Sequence, residues 1–127
     1  MPHFILEYTD NIRGEANISD LLKKVHDVLI RHGDVFPIGG IRSRAIELQD
    51  YRVADGAEDD AFVHATLKIA SGRSAEEKQA ACDELFAVMN EHFAPLFERR
   101  YLALSMELYE FQRPTWKHSN IHQRFKK

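Results

Sequence analysis

The sequence has few of the features that mark secreted or membrane proteins. Cys82 is the only cysteine among 127 residues, so no disulfide can form within the chain, and its apolar helical surroundings indicate a core residue. No apolar run approaches the roughly 20 residues of a membrane helix, and the start MPHFILEYTD lacks the basic and then apolar layout of a secretory signal. We therefore expect a cytoplasmic protein without membrane contact.

The sequence also lacks an excess of positive charge. It has 17 Lys and Arg against 20 Asp and Glu, a formal net charge of −3. Sequence-independent binding to nucleic acid needs clustered cations that replace counterions along the phosphates, so we expect no nucleic acid partner. With 44% hydrophobic residues, the composition is that of an ordinary globular protein, and residues 1–127 fit a single domain.

Hydrophobic patterns predict four strands, arranged in two β-α-β units. In FVHATLKIA and YLALSMELYEF every second residue is largely apolar, which is typical of strands with one buried face. The two units cover about residues 2–54 and 62–111, and residues 112–127 form a C-terminal extension. The expected strands lie at residues 2–8, 42–54, 62–70 and 101–111.

Each unit also contains a predicted helix. In ISDLLKKVHDVLIRHG the apolar residues recur at helical spacing, and Ser19 or Asp20 can cap the start. The second helix begins with a capping box formed by Ser74 and Glu77, and Pro95 should kink or divide it. Its expected apolar stripe consists of Cys82, Leu85, Phe86, Met89, Phe93, Leu96 and Phe97.

These elements predict an α+β fold, in which a tandem β-α-β duplication forms a four-stranded sheet with two helices on one face. Strands joined through a helix are normally parallel, with a right-handed crossover. The other face of the sheet would then be uncovered, and its burial by partner subunits is the natural remedy.

Two local features of the sequence could support catalysis or the binding of an anion. Aminopeptidases remove Met1 readily when a small residue follows, so the mature chain is expected to begin with the secondary amine of Pro2, which can act as a base. The alternative is that proline at this position only protects the N-terminus. In GRSAEEK, Arg73 lies beside a predicted helix start, where a carboxylate could bind. The alternative there is a solvated arginine in an ordinary loop.

GRSAEEK after a strand, together with proline behind Met1, resembles the tautomerase superfamily that includes 4-oxalocrotonate tautomerase. The blocks MPHFI, DNIR, GIRSR, ADG, FVHATLKI, GRS and NIHQRF are similar, in this order, to the 5-carboxymethyl-2-hydroxymuconate isomerase family. The resemblance implies a homotrimeric isomerase of aromatic catabolism that needs no metal or cofactor and acts on a di- or tricarboxylate. It also implies that Pro2 is the catalytic base and that Arg42 and Arg73 handle the substrate.

We assign stabilisation of the dienolate oxygen to Arg42 and carboxylate binding to Arg73, because arginine stays charged and binds carboxylates through two hydrogen bonds. Arg44, on the same strand face as Arg42, is a further candidate for substrate binding, with a surface salt bridge as the alternative. The α-amine has a pKa of roughly 8, and burial and nearby guanidinium groups should lower that pKa.

Several residues have more ordinary interpretations. His118 and His122 have a spacing that could hold zinc on a helix, but no third ligand accompanies them, so contacts of the tail are expected instead. His64 is expected to be a packed or interface histidine. Tyr101, Tyr109 and Phe111 could line an apolar pocket around Pro2 or simply belong to the core.

Two other functions stay open at this point. One is a tautomerase of the same fold that acts on another keto acid, such as a phenylpyruvate. The other is a trimeric ligand-binding or partner-binding module without catalysis. In the trimer, we expect the tail of residues 114–127 to reach across to a neighbouring subunit.

Overall fold

The computed structural model describes residues 1–112 and 114–126, and it contains a mixed four-stranded sheet and two long helices. Short 3₁₀ helices lie at Asp10–Ile12, Ile38–Gly40 and Ile121–Phe125. No helix within the described residues is long and apolar enough to cross a membrane. The main elements are β1 (His3–Thr9), α1 (Ile18–Arg31), β2 (Arg42–Leu48), β3 (Ala61–Ala70), α2 (Ala75–Phe97) and β4 (Leu102–Phe111).

The order of strands in the sheet is β2-β1-β3-β4. Strands β1 and β2 are parallel, as are β3 and β4, which confirms the two predicted β-α-β units. The units meet through the antiparallel pair β1 and β3. In this register His3 lies opposite Arg42 on one side and Lys68 on the other, so the start of β1 faces cations from both halves of the chain.

One face of the sheet forms the core together with both helices. Phe4 and Leu6 of β1 are fully buried, and Val63, Ala65 and Leu67 of β3 are at most 1% exposed. The alternation predicted for β3 is therefore confirmed. Both helices contribute to the same core cluster, namely with Leu21, Val25, Val28 and Leu29 of α1 and with Ala81, Leu85, Met89, Phe93 and Leu96 of α2.

The opposite face of the sheet carries many charged side chains. Its side chains alternate with those of the core, and most are half-buried or exposed. Both helices lie on the core side, so neither covers this face. Residues on this face include Arg42, Arg44, Ile46, His3, Ile5, Glu7, His64, Thr66, Lys68, Ser105, Glu107 and Tyr109.

Several element boundaries differ from the expectation. Helix α1 is capped by neither Ser19 nor Asp20 but follows Asn17, whose φ of 47° is one that asparagine tolerates. Strand β2 ends at Leu48 instead of residue 54, because its pairing partner β1 ends at Thr9, opposite Leu48.

The second helix also departs from its prediction at the C-terminal end. The capping box of Ser74 and Glu77 is present, as predicted. Pro95 does not divide α2, which continues to Phe97. Proline has no backbone N–H, so the carbonyl of Glu91 loses its helical hydrogen bond, and Glu91 is an exposed residue. Phe97 is 43% exposed, so it does not belong to the buried stripe.

Candidate active site

The N-terminal segment enters the sheet beside the loop that precedes β2. Pro2 is buried, whereas Met1 is only half-buried. The carbonyl oxygen of Pro2 accepts a hydrogen bond of 3.1 Å from the backbone N–H of Arg42. The close approach also involves Gly40, because a Cβ built there would lie 3.5 Å from Cα of Met1. The fold therefore places Pro2 next to the GIRSR segment.

The side chain of Arg42 is half-buried, and within the described residues it makes one hydrogen bond. Its Nη1 donates to the carbonyl oxygen of Gly40 at 3.2 Å. A guanidinium group has five N–H donors. Arg42 can therefore be held by the loop and still donate to an anion.

Arg73 is held much more firmly. Its Nε and Nη2 donate to the carbonyl oxygen of Val35 at 3.1 and 3.0 Å, and its Nη1 donates to the carbonyl oxygen of Ala70 at 3.0 Å. The guanidinium carbon lies 5.0 Å from the centroid of the Phe36 ring. Within the described residues, three of the five N–H donors are thus used to fix the orientation of the group, and two have no partner. Arg73 is therefore anchored to the loop that follows α1, unlike the solvated arginine that was the alternative.

The electrostatic environment of the N-terminus links these residues. Burial lowers the pKa of the Met1 α-amine, and the charges of Arg73, Lys117 and Arg42 lower that pKa further, in this order. Both arginines expected from the sequence are therefore close enough to act on the N-terminus of the chain. An amine at this place therefore loses its proton more readily than a free α-amine does.

Arg44 has a partner that the sequence did not suggest. Its Nη1 lies 3.1 Å from Nδ1 of His3, which must accept the hydrogen bond because arginine has no acceptor. Burial lowers the pKa of His3, and the nearby charges of Arg44, Arg42, the N-terminal amine and Lys68 lower that pKa further. Among the described residues, Arg44 thus contacts a neutral histidine and not the carboxylate of the surface salt bridge that was the alternative.

Two cavities flank Met1. The first, of about 380 Å³, lies over the start of β1, and the second, of about 400 Å³, lies towards the tail. Met1 and Lys117 line both. The first cavity is lined by Met1, His3, Arg44, Lys68, Ala70, Phe111, Thr115, Trp116 and Lys117, and the second by Met1, Pro37, Gly40, Lys117, His118, Ser119 and His122.

The predicted site residues are distributed unevenly around these cavities. Arg44 lines the first cavity directly, whereas Pro2, Arg42 and Arg73 line neither. Met1 lines both cavities and is joined by its peptide bond to the buried Pro2. His3, Lys68 and Lys117 were missed as site residues, and the available signal for the first two was their position on the polar side of a strand pattern.

The aromatic residues of β4 have different surroundings. Phe111 lines the first cavity, and the Lys68 ammonium lies 5.4 Å from the centroid of the Tyr109 ring. Tyr101, which directly precedes β4, is 79% exposed and belongs to neither the first cavity nor the core. His64 contacts Ser105 at 2.7 Å and Glu107 at 3.0 Å on the uncovered face of the sheet.

The C-terminal tail contacts the Ile38–Gly40 turn of its own chain, and its contact with a neighbouring subunit stays a prediction. His122 lies so close to Gly39 that a Cβ there would be 2.6 Å from Nδ1 of the histidine. The tail thus holds the Ile38–Gly40 turn that leads into Arg42. No group of three or more potential metal ligands occurs among the described residues. Lys127, the last residue of the predicted tail, lies outside the described residues.

Comparisons with known structures find one protein that shares only the fold with this chain and another that is also similar in sequence. The macrophage migration inhibitory factor of Trichinella spiralis has a TM-score of 0.59 at 16% identity, with 90% of this chain and 95% of that chain covered, which shows the fold alone. A crystal structure of a 5-carboxymethyl-2-hydroxymuconate isomerase from Deinococcus radiodurans R1 is much closer. It has a TM-score of 0.95 and 51% identity, and the match covers 99% of this chain and 95% of that one.

The sequence comparisons reach the same family. The 5-carboxymethyl-2-hydroxymuconate Delta-isomerase of Escherichia coli is 48% identical over 128 residues, which cover 99% of this chain and all of that protein. The profile described as 5-carboxymethyl-2-hydroxymuconate isomerase matches residues 2–125. The chain therefore belongs to the 5-carboxymethyl-2-hydroxymuconate isomerase family.

Proposed function

We propose that this protein isomerises 5-carboxymethyl-2-hydroxymuconate to its 2-oxo-3-ene isomer in the catabolism of homoprotocatechuate, with the amine of Pro2 as general base and acid. The observation that carries the proposal is the cationic, partly buried N-terminus, where Arg73, Lys117 and Arg42 all lower the pKa of an α-amine. The name of the relative from Escherichia coli, which is 48% identical, supports the choice of substrate.

Removal of Met1 is the first requirement of the proposal. In the chain with Met1, the nitrogen of Pro2 belongs to a peptide bond and cannot take a proton. Once Met1 is removed, the amine moves one residue along the chain, to Pro2, whose carbonyl is hydrogen-bonded to the backbone of Arg42. The space that Met1 occupied would also become available, and it adjoins both cavities.

The reaction then needs one base and a group that stabilises the negative charge of the intermediate. The neutral amine of Pro2 removes the proton of the 2-hydroxyl group, and negative charge develops on that oxygen and along the diene. The protonated amine returns a proton to C5, which leaves a ketone at C2 and a double bond between C3 and C4. Both transfers use the same group, so a pKa near the working pH is favourable for the base.

The two arginines would have different roles. Arg42 would donate to the oxygen at C2 as charge develops there, because it has one bond to the Gly40 carbonyl and donors to spare. Arg73 would bind a carboxylate, because its three bonds to backbone carbonyls fix the two N–H donors that remain. Because Arg73 is rigidly anchored, it should bind the substrate and the transition state equally well. Loss of this side chain should therefore raise KM and leave kcat nearly unchanged.

We also propose a homotrimer. Neither helix covers the sheet face that carries Ile5, Ile46 and the pair of His64 and Glu107. Packing of three sheets around an axis would bury the apolar residues of this face and bring its charged groups together with those of neighbours.

The test compares substrates after the N-terminus has been defined. Intact mass must first establish that Met1 is absent from the sample. Ultraviolet assays with 5-carboxymethyl-2-hydroxymuconate and with phenylenolpyruvate should then give a much larger kcat/KM for the first. A preference for phenylenolpyruvate would favour the alternative of a phenylpyruvate tautomerase, for which Phe111 and Trp116 in the first cavity are suitable neighbours.

A further inference from the structure

The first cavity contains more positive charge than its described surroundings balance. Arg44, Lys68 and Lys117 line it, and none of the lining residues is Asp or Glu. Several cations elsewhere in the described residues lie against carboxylates: Lys78 is 3.0 Å from Glu110, for example. Like charges that share one cavity repel each other, so an anion that entered it would be stabilised.

The two cations from the sheet approach the cavity from opposite sides of β1. Arg44 is on β2 and Lys68 is on β3, and these strands flank β1 at roughly 5 Å each. Their side chains project from the same face of the sheet, as the register with Ile5 and His3 shows. Both side chains are long enough to converge over the start of β1, where His3 lies between them.

His3 is suited to hold Arg44 without reducing its charge. Nδ1 of a neutral histidine accepts the hydrogen bond from Arg44 at 3.1 Å. A carboxylate at this position would also orient the guanidinium group, but it would cancel the positive charge of the cavity. Burial and the surrounding cations keep the pKa of His3 below its ordinary value, which preserves the acceptor form.

We propose that Arg44 and Lys68 form a binding site for a second carboxylate of the substrate, remote from the enol, and that His3 is the positioning residue that orients Arg44. This inference rests on the proposed function, because it assigns a place to a carboxylate that Arg73 does not bind. Lys68 is further oriented by the Tyr109 ring, whose centroid lies 5.4 Å from its ammonium group. The site selects substrates with two or more carboxylates over those with one.

Kinetics of one variant with two substrates tests the selectivity. Lys68→Met keeps the length of the side chain but removes its charge. KM for 5-carboxymethyl-2-hydroxymuconate should rise about tenfold to a hundredfold, the size expected for one charged hydrogen bond, with little change in kcat. KM for phenylenolpyruvate, which has one carboxylate, should stay within about twofold of wild type. Lys78→Met, which breaks the pair with Glu110 away from this cavity, is the matched control.

Variants of His3 test the positioning role. His3→Leu should raise KM for the muconate, and His3→Gln should restore part of the affinity, because its amide oxygen is again a neutral acceptor. His3→Glu should be the weakest binder of the three, although its carboxylate also orients Arg44. If His3→Glu binds as well as His3→Gln, the charge of the site has no part in recognition and the proposal is wrong.

A binding measurement separates this proposal from the proposed function. Trp116 is the only tryptophan of the chain and lines the first cavity, so its fluorescence should respond to a bound anion. In the full chain without Met1, adipate, an unreactive dicarboxylate, should bind more tightly than hexanoate, and Lys68→Met should abolish the difference. Equal titrations of both compounds, or no response to either, would overturn the carboxylate site. An inactive enzyme that kept the preference for adipate would overturn only the proposed reaction.

Discussion

Replacement of Arg73 by alanine should weaken substrate binding far more than turnover. The side chain loses the two N–H donors that face away from its backbone partners, and it loses its charge. A charged hydrogen bond contributes about 1.5 to 3 kcal/mol, so KM should rise by about one to two orders of magnitude. Because the group is fixed in advance by Val35 and Ala70, the loss should be similar in ground and transition states. The kcat value should then change by less than about threefold.

The same substitution has a separate effect on stability. Two backbone carbonyls, those of Val35 and Ala70, lose their donors, and the contact with the Phe36 ring disappears. Both Val35 and Ala70 are only half-buried, so water can replace part of what is lost. We expect the free energy of unfolding to fall by about 1 to 2 kcal/mol. Arg73→Lys should recover charge but not the pair of bonds to Val35, and should lie between wild type and alanine.

The assay combines initial rates in the ultraviolet with urea unfolding of the same samples. Arg99→Ala is the control, because Arg99 is exposed and follows the far end of α2. That helix has 23 residues, about 35 Å at 1.5 Å per residue, between Arg99 and the site. The reasoning is refuted if Arg73→Ala, still folded, keeps the KM of wild type or loses its activity through kcat alone.

Four further predictions concern the base, the second arginine, the tail and the assembly. Pro2→Ala keeps an amine but makes it primary and more mobile, so kcat should fall with a modest change in KM. In the wild type, kcat/KM should decline as the pH falls through a pKa below roughly 8, because protonation of the amine removes the base. Arg42→Ala should depress kcat. It should also move the decline of kcat/KM to higher pH, because one of the charges that lower the pKa of the amine is gone. An unchanged kcat would argue against a role of Arg42 at the developing oxyanion. Gly39→Ala should lower the melting temperature because its Cβ would lie 2.6 Å from Nδ1 of His122, and the added substitution His122→Ala should relieve part of that effect if the clash is the cause. Sedimentation at micromolar concentration should give about three times 14.7 kDa, and a folded monomer would contradict the trimer.

Local patterns in the sequence predicted most of the secondary structure, because they depend on residues that are close together in the chain. The alternation in FVHATLKIA requires only that every second side chain point to one face, and the structure buries Val63, Ala65 and Leu67 as expected. The capping box of Ser74 and Glu77 is equally local, since its two hydrogen bonds span three residues. The family was likewise predictable, because short blocks along the whole chain carry the resemblance.

The pairing of the two halves is a tertiary property. Nothing within either β-α-β unit specifies that β1 and β3 pair antiparallel, yet this register brings His3 opposite Lys68 and creates the cationic cavity. The sequence offered Arg44 as a substrate-binding residue but gave no indication that a neutral histidine would be its partner. The same limit applies to the ends of β2, whose last residue is set by the length of its neighbour.

The sequence by itself determined which elements form, which faces are apolar and to which family the chain belongs, because these follow from local spacing and from short motifs. Only the tertiary structure decided how the N-terminus is surrounded. Arg73 is anchored by a carbonyl 38 residues away, and the tail packs onto the turn before Arg42. Such contacts depend on the closure of long loops and on side-chain packing between elements, which no local pattern of residues encodes.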